Sequence, residues 1–268
     1  MSSAALMLAL AAAFLHAGWN LLLARARDVQ AATAVVLGLS VVLFAPVAAV
    51  TWDVEWEVWP WALGSAAFEL AYFALLAYAY ERSELSVVYP VARGLAPVLV
   101  LAVGIASATA GEIAGVALVG AGVLLVRGLR QPEGRGVLFG ALIAVCIAGY
   151  TLLDNRGIEH ASAFAYFELV IGIPGALYLA AIWRRRGAPA LRSELGWATL
   201  AAAVAATLAY VFVLLALERA EAASVAAVRE TSVVIAVALA ALFLHERVGW
   251  ARLAGAALVV AGVALLSF

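Results

Sequence analysis

The sequence contains no lysine, a single cysteine and few charged residues of any kind. Charged side chains make up 12% of the 268 residues, whereas 67% are hydrophobic and the mean hydropathy is +1.09. A soluble domain carries about a quarter charged residues, so this composition excludes one. Because the net charge is -1 and every basic side chain is an arginine, the chain lacks the basic surface that a nucleic-acid partner requires. The lone Cys146 excludes an intramolecular disulfide and gives no support to redox chemistry.

Long apolar runs fill nearly the whole chain. Helices of about 17–25 residues cross the hydrocarbon core of a bilayer. Ten such runs, called spans 1 to 10, lie at 3–24, 30–50, 59–80, 85–106, 111–127, 135–153, 161–183, 195–217, 222–244 and 249–267. The loops are too short for an extramembrane domain, and helices are the spanning element for such runs. We therefore predict an all-α integral membrane protein with ten transmembrane helices in one membrane domain. Span 1 lacks the basic segment of a signal peptide, so we expect no cleavage.

The arginines between the spans are distributed unevenly. The even-numbered loops carry only Arg156 and Arg219. The odd-numbered loops carry Arg25, Arg27, Arg82, Arg127, Arg130, Arg135, Arg184, Arg185, Arg186, Arg192, Arg247 and Arg252. Cytoplasmic loops are enriched in basic residues. We therefore predict a multi-pass plasma-membrane protein with cytoplasmic odd-numbered loops and both termini outside.

Short motifs recur in the same order in the two halves of the chain. The recurring pairs are HAGWNLLLAR with IAGYTLLDNR, YERSE with LERAE, and Gly115 and Gly122 with Gly255 and Gly262. Each half has five spans, an odd number, so the second copy must enter the membrane from the opposite side. This pattern predicts a 5+5 inverted repeat, with residues 1–130 as the first five-helix repeat and 131–268 as the second. Inverted repeats are typical of secondary transporters.

The stretch SVVYPVARGLAP places an arginine between two prolines inside span 4. Pro90 and Pro97 each remove a backbone hydrogen bond, so we expect span 4 to be kinked or locally broken. Arg93 lies well inside the span, where an unpaired charge costs about 2.5–3.5 kcal/mol on insertion scales. It should therefore face the interior of the bundle, beside a polar cavity. A purely stabilising ion pair within the membrane is the alternative interpretation.

Span 9 contains a second charged stretch, AAVRETSVV, with Arg229 and Glu230. Two more carboxylates lie inside spans, namely Glu69 in span 3 and Glu168 in span 7. By depth we expect Glu69 to pair with Arg93 and Glu168 to pair with Arg229. Glu230 is then left without a fixed partner and becomes a candidate proton carrier. A loose pair with Arg229 or a headgroup contact is the alternative.

Span 1 and several tyrosines add polar groups within the membrane. His16 and Asn20 are four residues apart and share a helix face. His16 could relay protons, although a structural histidine bonded to a neighbouring helix is the alternative. Further hydroxyl groups that could line a cavity, or else pack in the core, belong to Tyr72, Tyr89, Tyr150, Tyr166 and Tyr210.

The order and spacing of these features resemble the drug/metabolite transporter superfamily, in its EamA-like branch. The resemblance covers the whole chain and rests on the ten spans, the duplication, SVVYPVARGLAP, and FLHE followed by AGAALVVAGVALL. It implies a secondary carrier of small metabolites, often an exporter of amino acids or related compounds, that works by alternating access. Matched by position, the polar residues of this branch are Tyr89, Pro90 and Arg93 in span 4 and His16, Trp19 and Asn20 in span 1. Span 9 lacks the proline pair, so only one kinked helix of this type is expected. Many members are drawn with cytoplasmic termini, whereas the arginines here predict the reverse.

Together these observations favour a transporter with a central polar cavity. The candidate substrate-binding residues are His16, Trp19, Asn20, Glu69, Tyr72, Tyr89, Pro90, Arg93, Tyr150, Glu168, Arg229 and Glu230. His16, His160 and His245 lie in separate segments without metal-ligand spacing, so we predict no metal, no cofactor and no enzyme activity. The expected partners are a small-molecule substrate, the lipid bilayer and, as an open question, protons. The alternative functions are a non-transporting sensor or scaffold and a channel. The oligomeric state, monomer or homodimer, is open.

Overall fold

The structure, a computed structural model, describes residues 1–82, 85–106, 108–127, 134–244 and 249–267. Ser83 and Glu84 of the YERSE motif, two counted arginines, Arg130 and Arg247, and His245 of FLHE lie outside the described residues. Within these ranges the chain forms eleven α-helices and a short 3₁₀-helix, Ile158–His160. The α-helices are α1 Ser3–Leu23, α2 Val29–Val50, α3 Val58–Arg82, α4 Leu85–Val103, α5 Ala110–Arg127, α6 Gly134–Gly157, α7 Ala163–Ser193, α8 Trp197–Leu217, α9 Ala222–Arg229, α10 Thr231–Leu244 and α11 Trp250–Ser267. The all-α prediction is confirmed.

Seven helices in the described part of the chain are long and apolar enough to cross a membrane. They are Ser3–Leu23, Val29–Val50, Val58–Ala79, Gly134–His160, Ala163–Ser193, Trp197–Leu217 and Trp250–Ser267. Two shorter apolar helices, Val88–Val103 and Ala110–Val126, correspond to predicted spans 4 and 5. Predicted span 9 is divided between α9 and α10. Every predicted span thus coincides with a helix or, for span 9, with a pair of helices.

Local polar and glycine residues fix where several helices begin and end. The Ser2 hydroxyl accepts the amide hydrogen of Ala5 at 3.2 Å, at the start of α1. The Asp28 carboxylate caps α2 in the same way by accepting two backbone amides. These are the usual N-cap interactions. Within α7, Gly187 has φ of +79° and interrupts the helical conformation. Glycine adopts such a φ without steric cost, so the chain turns there and ends its long span.

A kink or local break is predicted for span 4, whereas the helix that is interrupted is that of span 9. Helix α4 continues through Pro90 and Pro97, so the predicted local break is wrong. The chain is held there by close neighbours, since a Cβ added to Gly140 of α6 would lie 2.8 Å from the Val88 carbonyl oxygen. At Glu230 the helix is interrupted, because its amide donates to the carbonyl of Ala227, three residues back, at 3.0 Å. Such a bond is of the 3₁₀ type and tightens the turn.

The Thr231 side chain contributes to this interruption. Its hydroxyl donates to the carbonyl oxygen of Val228 at 2.8 Å. Threonine hydroxyls compete with the backbone amides for helical carbonyl groups in this way. Thr231 could have indicated this interruption from the sequence, but without a proline pair no interruption is predicted in span 9.

The two halves of the chain pack against each other helix by helix. Helix α1 packs on α8, α2 on α7, α3 on α6 and α5 on α11. Helices α5 and α11 meet through glycines: Gly115 approaches Gly262, and Gly122 approaches Gly255. A Cβ on Gly255 would lie 2.6 Å from the carbonyl oxygen of Gly122. Because the earlier glycine of α5 meets the later glycine of α11, the two helices are antiparallel.

The distribution of polarity is the reverse of that in a soluble protein. Large apolar side chains such as Met7 and Val42 are exposed on the outside, at 68% and 70%. Arg93, Glu69 and Asp154 are buried in the interior. A surface of this kind suits lipid as the solvent, and the buried charges then need partners or water inside the bundle.

Two loops pair with each other at one end of the bundle. Val54, between α2 and α3, forms an isolated antiparallel bridge with Ala161, between α6 and α7. Beside it the Glu55 amide donates to the His160 carbonyl at 2.9 Å, and the His160 ring lies 2.9 Å from the Glu55 carboxylate. These are even-numbered loops. The terminal segments also meet each other, since the amino group of Met1 donates to the Leu266 carbonyl at 3.4 Å.

At the odd-loop end the contacts are between side chains and single backbone groups. The Asp28 amide donates to the Glu194 carboxylate at 3.0 Å. The Arg186 guanidinium donates to the Gln30 side-chain oxygen at 3.1 Å and lies 3.6 Å from the Asp28 carboxylate. These contacts join the α1–α2 loop to the end of α7.

Candidate functional site

A cavity of about 640 Å³ lies in the centre of the bundle. Its walls come from both halves of the chain, from α1, α2, α3 and α4 and from α6, α7, α8, α9 and α10. Ligand cavities of this size and mixed character hold small molecules. The cavity is therefore the candidate functional site.

Arg93 of α4 forms a buried ion pair with Glu230. The Arg93 Nε lies 3.1 Å from Oε2 of Glu230, and both side chains are almost fully buried. Arg93 also donates from Nη2 to the Ser232 hydroxyl at 3.2 Å, and its guanidinium lies 6.0 Å from the Tyr89 ring centroid. The predicted pairing of Arg93 with Glu69 is therefore wrong. The interruption of span 9 turns Glu230 toward α4, and sequence depth alone did not include that turn.

Two further predictions about the carboxylates are also wrong. Glu230 was expected to have no fixed partner, but it is paired with Arg93. Glu168 was expected to pair with Arg229, but within the described residues the two form no ion pair. Glu168 lies on α7 outside the cavity lining, and its Oε1 has no hydrogen-bond partner there.

Asp154 of α6 is the polar residue that the sequence analysis missed. Its carboxylate accepts hydrogen bonds from three hydroxyl groups: Ser65 on α3 at 2.5 Å, Tyr210 on α8 at 2.7 Å and Tyr166 on α7 at 3.2 Å. Predicted span 6 ended at residue 153, so Asp154 was taken as part of a loop. The repeated motif could have identified it. When IAGYTLLDNR is aligned with HAGWNLLLAR, Asp154 stands where the first copy has the apolar Leu23.

Glu69 of α3 faces the cavity from within the bundle. It is 4% exposed and lines the cavity wall. Asp154 and Arg229 are both near enough for their charges to act on its carboxylate. Among the residues that the structure describes, none forms a hydrogen bond or ion pair with the Glu69 carboxylate.

Arg229 ends α9 and lines the cavity. Its charge acts on Glu69 and Asp154 and also on His16 of α1. No carboxylate in the described ranges forms an ion pair with it. The two arginines of the cavity wall therefore differ, since the buried Arg93 is neutralised by a direct partner while the partly buried Arg229 presents its charge to the cavity.

The polar residues of span 1 lie where the sequence placed them, on one face of α1. His16, Trp19 and Asn20 all line the cavity. The rings of His16 and Trp19 are edge to face with centroids 5.2 Å apart. The Asn20 amide donates to the carbonyl oxygen of His16 at 2.7 Å, so part of its hydrogen-bonding capacity is used within its own helix.

Aromatic side chains cover another part of the wall. Tyr72 of α3 and Tyr150 of α6 both line the cavity, with ring centroids 6.4 Å apart and an interplanar angle of 84°. Tyr89 of α4 and Tyr210 of α8 line it as well. The four rings offer apolar faces to a bound molecule, and the hydroxyls of Tyr72 and Tyr150 offer donors to it.

The structure brings together most of the predicted site residues. Those that line the cavity are His16, Trp19, Asn20, Glu69, Tyr72, Tyr89, Arg93, Tyr150 and Arg229. Pro90, Glu168 and Glu230 are absent from the lining. Binding of a substrate by the lining residues stays a prediction.

The cavity extends toward the odd-loop end of the bundle. Leu23 and Ala24 at the end of α1, and Val29 and Gln30 at the start of α2, belong to its wall. These four residues flank the first loop. At the opposite end the bridge of Val54 with Ala161 lies outside the lining.

Comparison with known proteins adds two findings. The family model described as the EamA-like transporter family matches residues 134–268. One solved crystal structure superposes with a TM-score of 0.81, covering 99% of this chain and 98% of that chain at 16% sequence identity, which shows a shared fold. A search of the curated proteins finds no match.

Proposed function

Because this chain belongs to the EamA-like transporter family, within the drug/metabolite transporter superfamily, we propose that it is a secondary active carrier of small metabolites. It works as an efflux carrier or exchanger by alternating access through the central cavity. The single observation that carries this proposal is the 640 Å³ cavity, lined by charged and aromatic residues from both halves. A cavity of this kind inside a lipid-facing bundle suits a solute that must be shielded from acyl chains.

The pairing of the helices supports an inverted repeat of residues 1–130 and 131–268. In an inverted repeat, span 1 corresponds to span 6, span 2 to span 7, span 3 to span 8 and span 5 to span 10, which is α11. The contact of α1 with α8 then corresponds to that of α6 with α3, and both pairs are in contact. The α2–α7 and α5–α11 contacts each join two corresponding spans. The antiparallel glycine contact of α5 with α11 agrees with opposite entry of the two copies. The family match over residues 134–268 also begins near the start of the second copy. Two copies of opposite orientation can exchange conformations, so that one site opens to each face in turn.

The loop contacts support a specific conformation in that cycle. The bridge of Val54 with Ala161 closes the even-loop end, and the cavity wall reaches the first loop at the other end. If the arginine-rich odd loops are cytoplasmic, the described conformation is closed to the outside and faces the cytoplasm. This is the conformation in which an exporter takes up its substrate.

The charges of the cavity favour a substrate with an anionic group. Arg229 presents a guanidinium to the cavity, and guanidinium groups bind carboxylates through charge-assisted hydrogen bonds. Tyr72 and Tyr150 add ring faces for an apolar or aromatic portion. Amino acids or related compounds combine these features, and we propose them as the substrate class.

Transport in proteoliposomes tests the proposal. The purified protein is reconstituted and loaded with a panel of labelled amino acids and related carboxylates, and counterflow is measured against unlabelled compound. We expect saturable counterflow of at least one compound, and a loss of about tenfold or more with Arg229→Gln, because a bidentate charge contact is removed. Arg219→Gln is the matched control, since Arg219 lies in an exposed pair with Glu218.

Other outcomes separate the rival functions. Flux that does not saturate and that proceeds at channel rates would indicate a channel. A sensor or scaffold would be indicated if no compound is transported and if Arg229→Gln abolishes the binding of a partner protein. Turnover of a compound in detergent would indicate an enzyme.

A further inference from the structure

The Glu69 carboxylate is buried, faces the central cavity and is held by no residue in the described part of the chain. It belongs to α3, is 4% exposed and forms part of the cavity wall. Buried carboxylates normally accept hydrogen bonds or pair with a cation. A carboxylate that has neither, and that lies in the wall of a cavity, is available to a ligand from that cavity.

The neighbouring carboxylate is in the opposite situation. Asp154 accepts three hydroxyl hydrogen bonds, from Ser65, Tyr210 and Tyr166. A hydroxyl donor complements the negative charge of a carboxylate. The Asp154 carboxylate is thus occupied by three donors of its own, whereas Glu69 has none in the described part of the chain.

The groups around Glu69 include one charge of each sign. The titratable groups near it are Asp154, Tyr150 and Cys146 of α6, Tyr72 of α3, Tyr210 of α8 and Arg229 at the end of α9. Asp154 and Arg229 are the charged members of this set.

The remaining elements packed on α3 bring groups that have partners or that lie outside the cavity lining. Glu168 of α7 is of the second kind, because its Oε1 has no hydrogen-bond partner in the described residues but the side chain is not part of the cavity wall. Helix α4 contributes Arg93, which is paired with Glu230, and α7 contributes Tyr166, which donates to Asp154. The 3₁₀-helix contributes His160, which is bonded to Glu55 at the even-loop end. Glu69 is therefore left as the acidic group that is open to a ligand from the cavity.

We propose that Glu69 is a proton-binding site of the central cavity. A proton from cavity water binds one Glu69 oxygen and gives a neutral carboxylic acid, and the same O–H bond breaks when the proton returns to water. If the cavity opens to each face in turn, the proton is taken up on one side and released on the other. Only this coupling role rests on the proposed transport function, and proton binding itself does not.

Infrared difference spectroscopy of the purified protein in lipid nanodiscs tests proton binding directly. Spectra are recorded over a range of pH for the parent and for Glu69→Gln, and the variant is subtracted from the parent. We expect a carbonyl band of a protonated carboxyl group that belongs to Glu69 and disappears in a single step as the pH rises. The same subtraction in a Glu168→Gln background is the matched control and must give the same band, because Glu168 lies outside the cavity lining.

Asp154→Asn completes the experiment. We expect the Glu69 band to persist in this variant while the pH at which it disappears changes, because a neighbouring charge has been removed. The proposal is overturned if Glu69→Gln removes no protonated band, or if that band is lost with Asp154→Asn instead. Saturable counterflow in a protein that lacks the Glu69 band would contradict the proton-binding site but not the proposed transport function. The band without any transport would contradict the proposed function alone.

Discussion

Arg93 and Glu230 form an ion pair in the interior of the bundle, with Nε and Oε2 3.1 Å apart. The pair joins α4 of the first half to the residue at which predicted span 9 is interrupted. It therefore neutralises a buried guanidinium and links α4 to the helix interruption beside the cavity.

Breaking this pair from one side should destabilise the protein. Glu230→Gln leaves the Arg93 guanidinium buried without its counter-ion, which costs about 3–5 kcal/mol in comparable buried pairs. We expect a clear loss of thermal stability in detergent, measured by the fraction that remains monodisperse after heating. Arg219→Gln removes an exposed pair with Glu218 and should change stability by about 1 kcal/mol or less. Equal effects of the two substitutions would contradict the structural role of the Arg93–Glu230 pair.

The hydroxyl groups around Asp154 lead to a second prediction. Tyr210→Phe removes the 2.7 Å donor to the carboxylate, and a hydrogen bond to a charged group contributes about 1.5–3 kcal/mol. Tyr150→Phe is the matched control, because its hydroxyl donates to no residue in the described ranges. We expect Tyr210→Phe to lower the unfolding temperature more than Tyr150→Phe. The reverse order would show that Asp154 does not depend on its hydroxyl donors.

The glycine contact between α5 and α11 leads to a third prediction. Gly255→Ala places a methyl group 2.6 Å from the Gly122 carbonyl oxygen, so the two helices must separate. We expect lower thermal stability, by roughly 1–3 kcal/mol for an overpacked contact. Gly18→Ala is the control, since no atom lies within 4 Å of a Cβ at that position. It should be neutral or slightly stabilising, because alanine favours a helix more than glycine does.

The orientation of the chain is a fourth prediction, which rests on the arginine distribution. The amino group of Met1 reaches the Leu266 carbonyl, so both terminal segments lie at one end of the bundle. The odd loops carry most of the arginines, and the positive-inside rule then places the termini outside. Epitope tags at both ends should be accessible to antibody on intact cells. Tags that become accessible only after permeabilisation would reverse the predicted orientation.

Much of the fold could be predicted because the bilayer imposes strong constraints on sequence. A helix that crosses it needs a long apolar run, so the boundaries of α1, α2 and α8 lie close to the predicted spans. Prolines were a weaker guide. Pro90 and Pro97 are accommodated within α4, while the interruption at Glu230 depends on short-range bonds of Ala227 and Thr231. The threonine is visible in the sequence, but whether its hydroxyl takes up a helical carbonyl depends on tertiary packing, which no local pattern encodes.

Most residues of the candidate site could be predicted from the sequence, but the ion pairs that they form could not. Glu69, Arg93 and Arg229 were identified because a charge inside a span must turn inward, and all three line the cavity. Which carboxylate meets which arginine depends on helix rotation and on the interruption at Glu230. Asp154 was missed because it lies one residue beyond the predicted end of span 6, where a carboxylate is normally solvated.

Alternating access can be tested with a reducible disulfide at the even-loop end of the bundle. Val54 and Ala161 form a non-hydrogen-bonded antiparallel pair, flanked by the Glu55–His160 and Asp53–Ser162 backbone bonds. Their Cα atoms in such a pair are about 4.5 Å apart, within the range of about 4.4–6.8 Å that a disulfide spans. Cys146 is the one native cysteine, so Cys146→Ser provides a background for Val54→Cys together with Ala161→Cys.

The most direct measurement is counterflow by this double-cysteine variant in proteoliposomes, before and after reduction, with the compound that the parent carries best. We expect oxidation to abolish counterflow, because the even-loop end can no longer open, and reduction to restore it. Val54→Cys alone should be insensitive to both treatments. Counterflow that continues at the parental rate with the disulfide formed would contradict alternating access through this cavity.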